Sequence, residues 1–270
     1  MPEPSAHPVL HSLELVGRST VKLIEETGYY FTLLVESLAW ILVGPFIKQP
    51  VRIPSIFTQM MTMGVAACPI VFILSFSIGV MLSIQMIYNL KAFRAESQVV
   101  VGVALSITRE FGPLITGILI AGRTGSSLAA KIGTMQVNQE IDALRVMGIN
   151  PVRYLVSPAL FAMMIMLPVL TFFSDIAGLL GGAVYTGIEL GLSFDAYLDR
   201  TISALVIGDV LQGLCKSLVF ALIITLVGVS NGFSVTGGAE GVGKATTPAV
   251  VLSISYIVIA DMVFTYFLNR

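Results

Sequence analysis

The sequence predicts an all-α polytopic membrane protein, in which an N-terminal interfacial or embedded helix precedes five transmembrane helices and a short cytoplasmic helix. Of its 270 residues, 56% are hydrophobic and only 11% are charged, whereas soluble domains carry about a quarter charged residues. Five apolar runs each supply the roughly 20 residues that a helix needs to cross the hydrocarbon core. The net charge of −1 excludes a strongly basic surface, so no nucleic-acid partner is expected.

The N-terminal segment, residues 1–52, is predicted to associate with the membrane surface. From Leu10 to Glu26 apolar residues alternate with charges, a pattern typical of a helix that lies on lipid. The run from Thr27 to Ile47 is more apolar, but it contains Glu36 and ends near Pro45. We therefore expect residues 27–47 to be embedded in the membrane, with complete crossing left open.

The transmembrane domain is predicted to occupy residues 53–270. Its first run has no charged residue and is expected to form one long helix that begins after Pro54. A kink is expected near Pro69, because proline lacks a backbone N–H. Glycines near the end of the third run permit close backbone approach, either within one chain or between two chains. The predicted spans are Ile53–Leu90, Ser97–Gly122, Tyr154–Ile188, Thr201–Val229 and Ala245–Leu268.

The distribution of Lys and Arg predicts an orientation. If the polar stretch from Arg123 to Arg153 is cytoplasmic, nine basic residues lie on that side and four on the other. This distribution predicts a cytoplasmic N-terminus and an external C-terminus, which require an odd number of crossings. Five crossings meet this requirement if residues 27–47 do not cross. The first set is Arg18, Lys22, Lys48, Arg52, Arg123, Lys131, Arg145, Arg153 and Lys244; the second is Lys91, Arg94, Arg200 and Arg270.

A short amphipathic helix is predicted in the cytoplasmic stretch, at about residues 135–148. Its apolar residues recur at helical spacing, its acids lie near the start as the helix dipole prefers, and Gly148 is placed to end it. Such a helix either lies on lipid or inserts into a partner's groove, and its acids argue against an anionic lipid surface. The apolar positions are Val137, Ile141, Leu144 and Met147; the charged ones are Glu140, Asp142 and Arg145.

Several charged side chains are predicted to lie inside the membrane. Arg109 lies midway along the second span, where a charge costs about 2.5–3.5 kcal/mol. Our hypothesis is that Arg109, Glu110 or both line a substrate cavity, with Arg109 available to a lipid phosphate. The alternative is a structural ion pair with Asp209 or Asp261 on another helix. Asp209 and Lys216 are seven residues apart on one face, so we expect each to tie helices together.

Four sequence blocks carry a resemblance to a known family. Arg109–Pro113 reads REFGP, Ala121–Ser126 reads AGRTGS, Glu140–Leu144 reads EIDAL and Met147–Pro151 reads MGINP. In this order they resemble the MlaE/YrbE family, the permease subunit of MCE-type ABC lipid transporters. The likeness extends from about Ile53 to the C-terminus.

The resemblance implies a homodimeric lipid permease of the bacterial inner membrane. The cytoplasmic helix would be a coupling helix that docks into a separate ABC ATPase subunit, which would hold the ATP and Mg²⁺. A periplasmic MCE-domain protein would be the other partner, and phospholipid the cargo. The implied lipid-binding residues are Leu82, Leu90, Phe93, Arg109 and Glu110, with Phe93 standing where a relative carries tyrosine. The implied ATPase-coupling residues are Glu140, Ile141, Asp142, Leu144 and Met147.

Two other functions remain open on the sequence. A proton-coupled secondary transporter would use Glu110, Asp209 and Asp261 as proton carriers, although no inverted repeat is visible. A non-transporting membrane scaffold is the second alternative. An enzyme is not expected, because the few histidines leave no His-based acid–base pair. The segment Gly238–Ala245 resembles a phosphate-binding loop, but alanine replaces the required Ser or Thr. We therefore expect no catalytic residue, metal or cofactor in this chain.

Overall fold

A computed structural model describes residues 8–44, 46 and 52–268. Over these ranges the fold is an assembly of helices, of which α2, α3, α5, α7 and α8 are long and apolar enough to cross a membrane. The prediction of an all-α polytopic membrane protein is confirmed. The helices are α1 (Pro8–Leu42), α2 (Ile53–Lys91), α3 (Glu96–Val137), α4 (Glu140–Val146), α5 (Val152–Leu190), α6 (Phe194–Ala204), α7 (Ile207–Phe233) and α8 (Gly238–Leu268).

The ends of the five spans form two faces. On the face that carries α4, called the loop face here, Arg52 at the start of α2 donates to the Tyr154 hydroxyl over 2.9 Å. Thr124 on α3 also donates to the Met63 carbonyl over 3.4 Å. On the opposite, far face, Lys91 at the end of α2 lies 3.7 Å from Glu189 near the end of α5. Consecutive spans therefore run in opposite directions.

Helix α5 occupies the centre of the fold. In the most apolar stretch of α5, 67% of the residues are buried, compared with 22% in that of α2 and 11% in that of α8. The outward surfaces of α2 and α8 consist of apolar side chains such as Ile73 and Val258. Because a bilayer solvates apolar side chains and not open backbone, such surfaces suit helices that face lipid. The core between α3, α5, α7 and α8 includes Ile120, Met163, Leu167, Phe220, Ile224 and Ile257.

Glycines bring α2 and α5 into direct backbone contact. A Cβ added to Gly79 would collide with the carbonyl oxygen of Gly178, and a Cβ added to Gly181 would collide with the carbonyl oxygen of Phe76. The close approach that the glycines permit is thus made within one chain. Gly191 has a different role: it follows α5 at a φ of 65°, a left-handed conformation in which glycine ends helices without strain.

Three of the spans contain wide helical turns, and that of α5 is its first turn, Val152–Val156. Helix α2 passes through a π-helical turn at Met60–Gly64 and a 3₁₀ turn at Val65–Ala67 before it resumes at Cys68. This irregularity lies directly before Pro69, the residue near which a kink was predicted. In α3, π-helical turns lie at Ile107–Phe111 and Ala121–Gly125.

The N-terminal segment is one helix where two segments were expected. Helix α1 runs from Pro8 to Leu42 without interruption, joining the surface segment to the more apolar one. It is not among the helices long and apolar enough to cross a membrane. Pro45, which was expected to end this run, lies outside the described residues, as does Arg270 at the C-terminus.

Several helix boundaries differ from the predictions. Helix α3 continues beyond Gly122 to Val137, since Leu128 and Ile132 bury one side while the polar residues face outward. As a result the loop-face helix spans only Glu140–Val146 rather than 135–148. Helix α7 begins at Ile207 rather than Thr201, because Thr201 belongs to α6.

The glycine-rich segment before the last span is helical rather than a loop. Helix α8 begins at Gly238, and Val235 and Val242 pack against Gly133 of α3. The resemblance of Gly238–Ala245 to a phosphate-binding loop therefore has no structural counterpart, because such a loop curls around the phosphate ahead of its helix, whereas these residues already lie within α8.

Candidate functional site

A network of charged side chains joins three spans in the far half of the molecule. The Lys216 ammonium on α7 donates to Glu110 Oε2 on α3 over 2.6 Å and lies 3.0 Å from Asp261 Oδ1 on α8. Lys216 has no exposed side-chain surface, whereas the side chain of Glu110 is 29% exposed. Thr265 Oγ1 lies 3.0 Å from both Glu110 oxygens and from Lys216 Nζ. One buried cation is therefore compensated by two carboxylates and a hydroxyl.

A second pair lies beside this network. Arg109 Nη2 is 2.7 Å from Asp209 Oδ1, and Arg109 Nε donates to the same oxygen over 2.8 Å. The other carboxylate oxygen, Oδ2, accepts the backbone N–H of Val206 over 2.9 Å. Asp209 thus lies in the first turn of α7, where an acid complements the helix dipole, and the expected tie between helices is present.

The sequence of α3 and the spacing on α7 explain how adjacent residues reach different partners. Arg109 and Glu110 lie in the π-helical turn Ile107–Phe111, and neighbouring positions on a helix point in different directions. Asp209 and Lys216 are seven residues apart and so lie on one side of α7, about 10 Å apart along its axis. Arg109 therefore pairs with Asp209 near the start of α7, and Glu110 pairs with Lys216 two turns further along it.

The alternative of structural ion pairs is thus realised for both Arg109 and Glu110, with Asp209 as the partner of the arginine. It does not remove these residues from the surface, because the side chain of Arg109 is 37% exposed. Thr265 was not predicted from the sequence, although it lies four residues after Asp261 and so on the same face of α8. An isolated polar pair on an apolar helix is the signal that identifies it.

The other predicted lipid-binding residues lie in the same half of the molecule but in different environments. Leu82 is buried in a cluster with Val103 and Ile107, and Leu90 packs against its edge. Phe93 lies in the turn between α2 and α3 and is 80% exposed. The structure thus places Leu82 and Leu90 together inside the chain, Arg109 and Glu110 at a half-exposed surface, and Phe93 at the far face.

Asp175 is a buried acid near the middle of α5. It is 5% exposed, and its Oδ1 has no hydrogen-bond partner among the described residues. It lies against Gly112 of α3, where any Cβ would clash with it. Ser174 and Ser75 share a hydrogen bond of 2.7 Å next to it. Asp175 therefore lies inside the helix bundle.

The loop-face helix α4 is defined by its two ends. Gln139 before it has a φ of 59° and Gly148 after it a φ of 73°, so the chain turns sharply at both. At the C-terminal end Gly148 donates to the Arg145 carbonyl over 3.0 Å and Ile149 donates to Leu144 over 2.9 Å. These two bonds form a Schellman motif, the stop predicted from Gly148.

The predicted coupling residues divide between two sides of α4. Ile141 and Leu144 are buried in the chain's own core and anchor the helix to the ends of α3, α5 and α7. Glu140, Asp142 and Met147 are exposed, and Val146 is 88% exposed. A partner that docks on α4 would contact this exposed side.

Helix α1 is attached to the segment that follows α4. Asn150 donates to Glu36 Oε1 over 2.8 Å, and the Arg153 guanidinium lies 5.2 Å from the centre of the Trp40 ring, within the range of a cation–π contact. Glu36, which interrupts an otherwise apolar run, therefore has a defined partner. These contacts connect α1 to the same segment that carries α4.

The described residues contain no group of three or more His, Cys, Asp or Glu side chains that is arranged to hold a metal ion. The two cysteines in this part of the chain, Cys68 and Cys215, are free thiols. The charged clusters of the far half therefore consist of ion pairs between helices.

Comparisons with known proteins show a family and several relatives. A family model described as the permease MlaE matches residues 56–267. A probable ABC transporter permease protein of Rickettsia typhi is 35% identical over 262 residues, covering 97% of this chain and 99% of the relative. The intermembrane phospholipid transport system permease protein MlaE of Haemophilus influenzae is 32% identical and covers 84% and 88%. The chloroplastic trigalactosyldiacylglycerol 1 protein of Arabidopsis thaliana is 38% identical and covers 70% and 54%.

Proposed function

This chain belongs to the MlaE permease family, and we propose that it is the permease subunit of an ABC transporter that moves phospholipid, or a similar lipid, between the inner membrane and an MCE-domain partner. A relative from H. influenzae is named for intermembrane phospholipid transport. The observation that carries the proposal is the exposed α4 helix, which projects from the loop face of a five-span domain. A separate ATPase chain, with its ATP and Mg²⁺, supplies the energy.

Coupling to the ATPase runs through α4. Its exposed side combines acidic residues, Glu140 and Asp142, with the apolar Val146 and Met147, a pattern suited to a groove in a protein partner. Its buried side rests on the ends of three spans. Closure of two ATPase subunits would therefore push α4 and, through it, the spans.

The lipid cavity forms between two copies of the chain, in the far half. The outward surfaces of α2 and α8 are apolar and uncovered, and Arg109 is exposed enough to contact a lipid phosphate while it remains paired with Asp209. Charge-assisted hydrogen bonds of this kind are among the stronger polar contacts. Leu82, Leu90 and Phe93 would contribute apolar surface next to it.

The orientation follows the Lys and Arg bias, with the loop face and the N-terminus in the cytoplasm and the far face in the periplasm. The protein is located in the bacterial inner membrane. A proton-coupled secondary transporter is less well supported, because Glu110, Asp209 and Asp261 each lie within ion-pair distance of a cation. None of the three is an uncompensated proton acceptor.

The test is lipid transfer by the purified chain, reconstituted in vesicles with its candidate ATPase and MCE-domain partner. We expect transfer of a fluorescent phospholipid to require ATP and to stop when the Walker lysine of the ATPase is replaced. Transfer that persists without ATPase activity would overturn the ABC assignment in favour of a secondary transporter.

The cavity is tested separately with matched variants. Arg109→Ala/Asp209→Asn removes the cation without leaving an unpaired acid, and Asp209→Asn alone removes the ion pair but keeps the cation. Copurification of lipid should fall in the first variant and persist in the second. If Arg109→Ala and Glu110→Ala both leave lipid copurification and transfer intact, the cavity has been assigned to the wrong residues.

A further inference from the structure

A polar cavity lies on the loop face, well away from the network that contains Arg109. Its volume is about 320 Å³, and it opens between the first turns of α2 and the last part of α3. Such volumes are typical of sites for small ligands. A second cavity of about 560 Å³ adjoins it, and the two share Gln59 and Lys131. The polar residues that carry the argument are Thr58, Gln59, Thr62, Arg123, Ser127 and Lys131.

The depth of this cavity corresponds to lipid headgroups. Helix α2 has 39 residues and α3 has 42, so each is about 60 Å long at 1.5 Å per residue. The hydrocarbon core is only about 30 Å thick, which leaves a substantial part of both helices outside it. The uninterrupted apolar helix of α2 starts at Cys68, and the cavity lies on the loop-face side of that residue.

The first cavity is lined by two cations and no acid, whereas Glu140 lines the adjoining one. Arg123 and Lys131 line the first cavity and are exposed, and within the described parts of the chain neither has an ion-pair partner. By contrast, Arg109 and Lys216 are compensated by carboxylates. Two unneutralised cations beside several hydroxyl groups favour an anion with several oxygen acceptors.

A buried amide gives independent support for a ligand. Gln59 is 8% exposed and lines both cavities, and its Oε1 has no hydrogen-bond partner among the described residues. Its Nε2 lies 3.5 Å from Ser55 Oγ. Because the two ends of an amide are interchangeable by rotation, Gln59 can direct N–H donors into the cavity. An unpaired buried polar group is costly unless a ligand or water satisfies it.

We propose that this cavity binds the phosphate of an anionic phospholipid headgroup in the leaflet of the loop face. Arg123 and Lys131 supply the charge, and Thr58, Thr62, Ser127 and Gln59 supply polar contacts, while the acyl chains extend along the apolar parts of α2 and α3. The site lies in the opposite half of the molecule from the proposed transport cavity. It rests on the membrane location of the chain and not on the proposed transport function.

The test is native mass spectrometry of the full-length, detergent-solubilised chain titrated with phosphatidylglycerol or with a diacylglycerol that has the same acyl chains. The wild type should bind one more phosphatidylglycerol per chain than Arg123→Gln/Lys131→Gln, with affinity at that site about tenfold lower for each cation removed. Diacylglycerol, which lacks phosphate, should bind all variants alike. Equal phosphatidylglycerol binding by the wild type and the double variant overturns the proposal.

Three controls make the result specific. Arg123→Lys/Lys131→Arg keeps both charges and should keep the lipid, which separates loss of charge from loss of fold. Lys244→Gln removes an exposed loop-face cation that pairs with Glu240 outside the cavity and should leave binding unchanged. If millimolar inorganic phosphate displaces the phosphatidylglycerol from the wild type, the cavity takes phosphate from solution, and the lipid assignment is wrong. Because binding needs neither ATPase nor transfer, failure here is distinct from failure of the transport proposal.

Discussion

Lys216 donates a hydrogen bond of 2.6 Å to Glu110 while its own side chain has no exposed surface. The bond joins α7 to α3, and Asp261 extends it to α8. Because two acids surround one buried base, the ammonium is the group whose loss changes the charge balance most. The pair explains why a lysine lies within an otherwise apolar helix.

Replacing Lys216 by methionine should therefore destabilise the chain more than replacing either acid. Breaking a buried ion pair by removing one partner costs about 3–5 kcal/mol, because the remaining charge is left uncompensated. We expect a lower melting temperature and a lower folded yield in detergent, measured by size-exclusion chromatography after heating. The combined variant Lys216→Met/Glu110→Gln/Asp261→Asn should recover part of the loss. A single variant that melts like the wild type would show that the network contributes nothing to stability.

The backbone contact between α2 and α5 predicts a large effect of one methyl group. Gly181→Ala forces the new Cβ against the Phe76 carbonyl, and because both atoms belong to backbones the helices must separate, at a cost of about 1–3 kcal/mol. The control is Gly243→Ala in α8, where nothing lies within 4 Å. There the change should be neutral or stabilising by about 0.4–1 kcal/mol. Thermal unfolding of the two variants side by side decides, and equal melting temperatures would contradict the close contact.

The two sides of α4 should respond differently to mutation. Met147→Glu alters an exposed residue and should weaken capture of the ATPase in a pull-down by at least about tenfold without changing the melting temperature. Leu144→Asp buries a charge in the core and should lower the melting temperature itself. Ile202→Glu, equally exposed but on α6 at the far face, is the matched control and should retain the ATPase. Unchanged capture by Met147→Glu would remove α4 from the coupling interface.

Stability should decline at alkaline pH partly through Tyr197 of α6. Burial raises the pKa of Tyr197 to about 12, whereas an unfolded tyrosine titrates near pH 10. Since the folded state disfavours the phenolate, this contribution is fully present below about pH 10 and is lost as the pH rises towards about 12. Tyr197→Phe should therefore lose less melting temperature than the wild type between pH 9 and 11. Tyr88→Phe, at a tyrosine that is 79% exposed, should follow the wild type. A Tyr197→Phe curve parallel to that of the wild type would exclude the effect.

The number and order of the spans could be predicted from the sequence because apolar runs of sufficient length have few other stable environments. Helix ends were less predictable. Ser127, Lys131 and Thr134 were interpreted as part of a polar loop, yet they form the outward side of α3 because Leu128 and Ile132 on its other side are buried. Composition shows how polar a stretch is, but whether its apolar residues are buried depends on which helices pack against it.

The charged network was likewise predictable only in part. That Asp209 and Lys216 share one side of α7 follows from helical spacing, whereas the identity of their partners depends on which spans are neighbours. The polar cavity around Arg123 was not predicted at all. Its residues come from two segments about 60 positions apart in the chain, and none of them is unusual in its own segment.

Helix α3 connects the ion-pair network, the basic cavity and α4. Its 42 residues run from the turn after Lys91, past the ion pairs, past the basic cavity and up to the sharp turn at Gln139 that begins α4. A displacement of α4 is therefore transmitted to both sites along one helix, with no loop between them. Each site takes a charged residue from one of the two π-helical turns, Arg109 from Ile107–Phe111 and Arg123 from Ala121–Gly125.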